Sequence, residues 1–68
     1  MTHLMRYRCI FFDASKGFVG SDEFASINDA FAVERATILW REHGTDGLGF
    51  EVWQGIRLIH RQEPPKRT

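Results

Sequence analysis

The side chains with most chemistry to offer are four arginines and two aromatics. Arg6 and Arg8 alternate along the segment from Arg6 to Asp13, Arg57 and Arg61 fall near the C-terminal end, Phe12 and Trp53 lie beside them, and Lys66-Arg67 follows. Arginines and exposed rings on one sheet face can neutralise phosphates and stack bases. The same residues, taken with Ile10, Glu51 and Ile59, also form an apolar patch rimmed by charge, which is the make-up of a protein interface. The chain has no RNP-type aromatic motif, and its nine Lys and Arg residues are cancelled by nine Asp and Glu residues. That balance removes the overall positive field that accompanies most nucleic-acid binders. Protein association is therefore the preferred reading, and nucleic-acid binding through the Arg and aromatic face is the alternative.

Catalytic and metal chemistry find less support. His3, His43 and His60 do not fall at zinc-ligand spacing, and Cys9 is the only cysteine, so no intrachain disulfide forms. Its place inside an apolar strand predicts a buried, inert thiol. His43 reads as a residue favouring the negative end of a helix. Ser15, Ser21 and Ser26 occupy turn or cap positions, with no Gly-x-Ser-x-Gly elbow around any of them. Asp22-Glu23, and Asp29 with Glu34, are paired acids, but acid–base work needs a pocket to shift their pKa values. Gly44, Gly47 and Gly49 precede a strand instead of a helix, so they make no phosphate cradle. No catalytic, cofactor or metal-binding residue is expected, and the protein is read as non-enzymatic.

The elements that must carry these residues follow from periodicity. Arg6 to Asp13 alternates, with Tyr7, Cys9 and Phe11 on one side and Arg6, Arg8, Ile10 and Phe12 on the other. Asp13 to Gly17 is a cluster of turn formers, and Phe18 to Ser21 returns as a short, weak strand ended by Asp22-Glu23. Ser26 with Asp29 resembles a capping box opening a helix from Ile27 to about His43, closed by Gly44. Leu48 to Gln54 and Ile56 to Arg61 read as a final hairpin. The expected architecture is α+β: a single ββαββ domain over residues 1–62, in which a four-stranded, mainly antiparallel sheet packs on one helix, with a disordered tail over 63–68.

The hairpin register can be argued from its side chains. A two-residue turn at Gln54-Gly55 would put Phe50 and Ile59 on one face with Arg57 and Arg61. A three-residue loop, Trp53-Gln54-Gly55, instead sets Val52 opposite Ile56, Phe50 opposite Leu58 and Glu51 opposite Arg57. The second choice segregates apolar from charged residues and is the one expected. The core then comprises Ala32, Ala36, Leu39 and Trp40 of the helix against Tyr7, Cys9, Phe11, Phe50, Val52, Ile56 and Leu58.

A domain of 68 residues buries only roughly 60% of the surface its unfolded chain exposes. Disulfide and metal being set aside, association is the remaining means of supplementing so small a core. The helix has two apolar stripes at about 100° per residue: Ala32, Val33, Ala36, Leu39 and Trp40 on one side, Ile27, Ala30, Phe31 and Ile38 nearly opposite. One sheet covers only one of them. A lone surface hydrophobe needs no explanation, but two such surfaces on one small chain predict a homodimer. It would form through either the outer sheet face, comprising Arg6, Arg8, Ile10, Phe12, Glu51, Trp53, Arg57, Ile59 and Arg61, or the stripe of Ile27, Phe31 and Ile38.

The run Phe50-Glu51-Val52-Trp53-Gln54-Gly55-Ile56-Arg57-Leu58-Ile59, with Tyr7-Arg8, Asp13 and Gly17, Asp29-Ala30 and Ala36, resembles a group of small bacterial proteins frequent in alphaproteobacteria. These open on a Tyr-Arg strand and close on a Glu-hydrophobic-Trp-(Asp/Gln)-Gly-x-Arg hairpin. The likeness spans Tyr7 to Arg61. It implies a bacterial, cytoplasmic setting and carries no activity, cofactor or site across. The chain departs from that pattern at Ser15-Lys16-Gly17, where Asp-Gly is frequent, and at Phe31 and Trp40, where smaller residues are common. A cytoplasmic setting also agrees with the single cysteine, with the lack of any run near the roughly 20 apolar residues of a membrane span, and with the absence of an apolar stretch after Met5.

Overall fold

The computed structural model describes residues 3–65. Strand β1 (Met5–Asp13) leads into β2 (Phe18–Ser26), helix α1 (Asp29–His43), β3 (Leu48–Gln54) and β4 (Arg57–Gln62). The strands form one antiparallel sheet in the order β2-β1-β3-β4, so the expected α+β, ββαββ architecture is the one observed. Among the described residues no helix is long and apolar enough to cross a membrane. Glu63 to Pro65 follow β4 without regular structure, and Lys66-Arg67 lie outside the described residues.

The alternation in β1 buries Tyr7, Cys9 and Phe11 on the helix side. These three meet Phe50 and Val52 of β3 and the small residues Ala32 and Ala36 of α1, all seven forming one core cluster. Met5, Phe24, Val33, Leu39, Trp40 and Ile59 pack around it. The alanines let the helix axis approach the sheet closely. Trp40, too large for that contact zone, lies at its margin, where its indole N–H donates to the Leu48 carbonyl at 2.8 Å and its ring lies 5.3 Å from that of Phe50. Truncating either ring of the central pair, Phe11 or Phe50, would cost about 3–5 kcal/mol.

Two element boundaries differ from the sequence reading. β2 runs on through Asp22-Glu23 to Ser26, pairing with β1 as far as Met5. Its acids are tolerated because an edge strand exposes them: Glu23 turns toward Arg8 and Asp22 toward His43. The helix cap is Asn28, not Ser26. Asn28 has extended backbone, and its side chain accepts the Phe31 N–H at 2.9 Å, while Ser26 remains in the ladder opposite Met5. Asp29 in the first turn, and Arg41 and His43 in the last, match the helix dipole.

The last hairpin is also corrected. Its loop is Gly55-Ile56, since Gln54 pairs with Arg57 and Trp53 with Leu58. Gly55 takes φ 61°, the positive value that a type II′ turn demands at its first position. This choice would send every β4 residue to the wrong face, but a bulge corrects it: Trp53 pairs with Leu58 and Val52 with His60, leaving Ile59 as the extra residue. Ile59 and His60 therefore both serve the helix side, with His60 5.6 Å from the Phe50 ring. The expected core members Ile56 and Leu58 are outside it, Ile56 being 99% exposed. Glu51 faces Arg61 instead of Arg57.

Gly49 pairs directly with Phe12 on the outer face. A Cβ at this position would approach the Gln62 carbonyl oxygen to 2.4 Å and the Phe12 ring to 2.6 Å. We expect Gly49→Ala to lower unfolding free energy by about 1–3 kcal/mol through overpacking, read from urea denaturation; unchanged stability would contradict this packing. Cys9 is wholly buried, and desolvation, helped by the charge of Asp22, pushes its thiol up to about 12. A thiol reagent at neutral pH is accordingly expected to label the folded chain only at the rate of its opening. Fast labelling without denaturant would show that the strand is open.

Candidate interaction surface

Alternation in β1 sets Arg6, Arg8, Ile10 and Phe12 on the face away from the helix, and antiparallel pairing brings Trp53 beside Arg8, Glu51 beside Ile10 and Glu23 beside Arg8. Arg6, Arg8, Ile10, Glu23, Trp53 and Ile56 line a shallow depression of about 460 Å³. Its lining combines apolar side chains with charges of both signs, and the 99% exposed Ile56 stands at its edge on the hairpin turn.

Along one side of this face runs a fixed polar chain. The Trp53 indole N–H donates to Glu51 Oε1 at 3.0 Å, and the other Glu51 oxygen accepts from Arg61 Nη1. Arg61 Nε donates to Glu63 Oε1 at 2.8 Å. Hydrogen bonding to Arg61 holds the Glu63 carboxyl below its usual range, and Glu63 first, then Glu51, raise Arg61. The guanidinium also lies 4.5 Å over the Phe12 ring, a cation–π contact. Arg61 above and side-chain-free Gly49 opposite explain why Phe12, though on the outer face, is only 6% exposed.

Seven of the nine residues expected on this face are brought together there: Arg6, Arg8, Ile10, Phe12, Glu51, Trp53 and Arg61. The other two, Ile59 and Arg57, are not. The bulge turns Ile59 toward the core. Arg57 pairs with Gln54, and its guanidinium engages Asp29 through Nη1 to Oδ2 at 3.1 Å and Nη2 to Oδ1 at 3.2 Å. In their place the face gains Leu58 and Ile56, which the expected register assigns to the core. The signal for both is Gly55, which reads as the last residue of a loop when it is the first.

Sequence reasoning misses the clamp on Asp29 altogether, because an acid at this place reads as part of a cap or as a neighbour of Glu34, with nothing local to point to Tyr7 or Arg57. It joins three elements: Tyr7 of β1 donates its hydroxyl to Oδ1 at 2.8 Å, Arg57 of β4 grips both oxygens, and Asp29 opens α1. The Gln54 side-chain oxygen accepts a second bond from Arg57. Arg57 first and Tyr7 second hold the Asp29 carboxyl below its usual range. Burial, then the Asp29 bond, push the Tyr7 hydroxyl up. With every charged member of the clamp committed to another, its role is structural.

Of the second expected surface, Phe31 and Ile38 share one side of α1 and are 51% and 46% exposed, whereas Ile27, 43% exposed, precedes the Asn28 cap and so is not part of a helical stripe. Phe31 and Ile38 line a groove of about 430 Å³ between α1 and β2, with Phe24 at its base and Glu34 and Arg35 on its wall.

Comparison with protein families, curated proteins and solved structures returned no match.

The clamp has a pH signature. A carboxyl with a lower pKa folded than unfolded stabilises the fold fully above its unfolded value and loses that contribution as pH falls through the lower, folded one. For Tyr7, raised on folding, the contribution is whole below the ordinary tyrosine range and fades above it. Asp29→Asn keeps an acceptor for Tyr7 but removes the charge. Its deficit in thermal midpoint against wild type is expected to be steady from about pH 5 to about pH 9 and to shrink below roughly pH 4. A deficit that persists undiminished in acid would refute the ion-pair account.

Proposed function

We propose that the protein is a small, non-enzymatic interaction module that works as a homodimer and engages a protein partner through the outer sheet face. The observation that carries this reading is the depression in which Ile10 and Trp53 lie among Arg6, Arg8 and Glu23, with the exposed Ile56 at its edge. An aromatic anchor in a pocket ringed by charge is the arrangement that dominates binding energy at protein interfaces. Trp53 enters it pre-oriented, since Glu51 and Arg61 fix the indole, which reduces the ordering cost of binding. Arg6 has no ion-pair partner among the described residues and Arg8 only an exposed one at 3.9 Å. Both are therefore available to an acidic group flanking an apolar side chain of the partner.

Nucleic-acid binding is less well supported by the same geometry. Of the four arginines, Arg57 belongs to the Asp29 clamp, and Arg61 is engaged by two carboxylates. That leaves two cations beside Glu23, which is little to neutralise a phosphate backbone.

A Trp53→Ala, Arg6→Glu variant is expected to keep the fold and lose at least about 2 kcal/mol of partner affinity, close to thirtyfold. The check is affinity capture from the source organism with wild type and variant side by side, followed by titration of the retained species. Identical bound sets would count against this face, as would oligonucleotide binding at low salt abolished by the same change.

A further inference from the structure

The charges on the outer sheet face are ordered along it, and that order narrows what a partner can offer. Resting on the proposed reading of this face as a partner surface, we infer that its ligand is an extended peptide segment with one acidic side chain, seated on Arg6, and one large apolar side chain, seated on Ile10 and Trp53. Glu23 sets the limit at one charge.

Antiparallel pairing lays the face out in rows. Arg6 has Ala25 beside it on β2, and the β1–β3 ladder begins only at Arg8, so on its other side stand the turn residues Gly55 and Ile56. Its row holds no carboxylate to take up its charge. The next row runs Glu23, Arg8, Trp53. Glu23 lies 3.9 Å from Arg8, and both side chains are more than half exposed, a pair weak enough for a ligand to compete with. The third row puts Ile10 beside Glu51, whose two oxygens are taken by Trp53 and Arg61. Arg61 also holds Glu63.

Charge therefore changes sign along the face. At the Arg6 end two guanidiniums, Arg6 and Arg8, outnumber one carboxylate, Glu23. Beside Ile10 two carboxylates, Glu51 and Glu63, share the one guanidinium of Arg61. A ligand carboxylate is drawn to the first group and repelled by the second, which fixes the ligand's orientation. Its apolar side chain is left to Ile10 and to the indole that Glu51 holds in place. Arg6 and Ile10 are four residues apart on β1, about 13 Å at the rise of a strand. Side chains on one side of an extended ligand recur at every second residue with the same rise, so its acid and its apolar group fall an even number of positions apart. A second acid meets Glu23 or the Glu51 pair. A nucleic-acid backbone, charged at every phosphate, meets the same carboxylates.

A library of randomised octapeptides, acetylated and amidated so that only side chains carry charge, is selected on the immobilised full chain. Selected peptides are then titrated with the Trp53 indole N–H magnetic resonance signal as reporter, and circular dichroism verifies the fold of each variant. The expected selection has one Asp or Glu and one large apolar residue, two or four positions apart. Changing that acid to its amide is expected to weaken binding about five- to tenfold on wild type and by less than about twofold on Arg6→Gln. Adding a second acid should weaken binding on wild type, and Glu23→Gln should recover about threefold or more of that loss. Peptides that move the Trp53 signal without a preferred acid, or whose acid is insensitive to Arg6→Gln, overturn this ligand class and leave the face standing as a partner surface. A selection in which no peptide moves the Trp53 signal overturns the face and its ligand together. No recovery in Glu23→Gln overturns the limit assigned to Glu23. A short oligothymidylate that binds at low salt more tightly than every selected peptide, and loses that binding in Arg6→Gln, gives the face to nucleic acid instead.

Discussion

A sheet has two faces, and the described residues supply one helix to cover them. The alternation of β1 commits Tyr7, Cys9 and Phe11 to the covered side, and every side chain between them, from Arg6 to Phe12, is thereby committed to the other. Burial on the helix side is thorough because Ala32 and Ala36 bring the backbones close. That same closeness narrows the contact zone, so the helix has apolar residues left over. The two uncovered surfaces follow from one packing decision: a thin, tight layer closed by small residues leaves Phe31 and Ile38 outside as surely as it leaves Ile10 and Trp53 outside.

Such a layer needs its helix held at a defined angle, and the Asp29 clamp supplies this at one end. A carboxylate in the first helical turn complements the helix dipole, and here it also accepts from β1 and β4 at once. At the other end His43 lies over Phe11 with ring centres 4.3 Å apart and Nε2 3.6 Å from Asp22. The helix is thus attached to the strands flanking its line of contact at both termini, while its middle is free to use alanine. Arg57 reaches Asp29 only because the Gly55-Ile56 loop turns it to the helix side. The hairpin register and the seating of the helix are consequently one constraint.

The sequence made the architecture legible where the signal was periodic. β1, β3 and the helix body follow from alternation and from a run free of Gly and Pro, and Tyr7, Cys9, Phe11, Phe50, Val52, Ala32 and Ala36 were all identifiable as core. Reasoning failed where a single residue changes parity. Segregating apolar from charged side chains assumes that β4 is regular, yet a bulge lets Leu58 point outward and Ile59 inward within one strand. Ile56 is the most misleading residue: a branched apolar side chain reads as strand and core, whereas the turn requires only that Gly55 precede it. Long-range polar contacts such as Tyr7 to Asp29, 22 residues apart, leave no local signature. Phe12 falls on the expected face, but its burial depends on Gly49 across the ladder, a pairing visible only once the register is known.

The two open surfaces point in different directions, and this bears on how they would work together. The helix stripe borders the groove between α1 and β2 on the covered side of the sheet, while the Trp53 depression lies on the opposite face. A chain of 68 residues has too little surface to make a large interface with a partner and a second one with itself on the same face. The sheet separates the two surfaces, and the central β1–β3 ladder holds Trp53 beside Arg8 with its indole fixed on Glu51, so that little ordering of this side chain is left to a contact on that face.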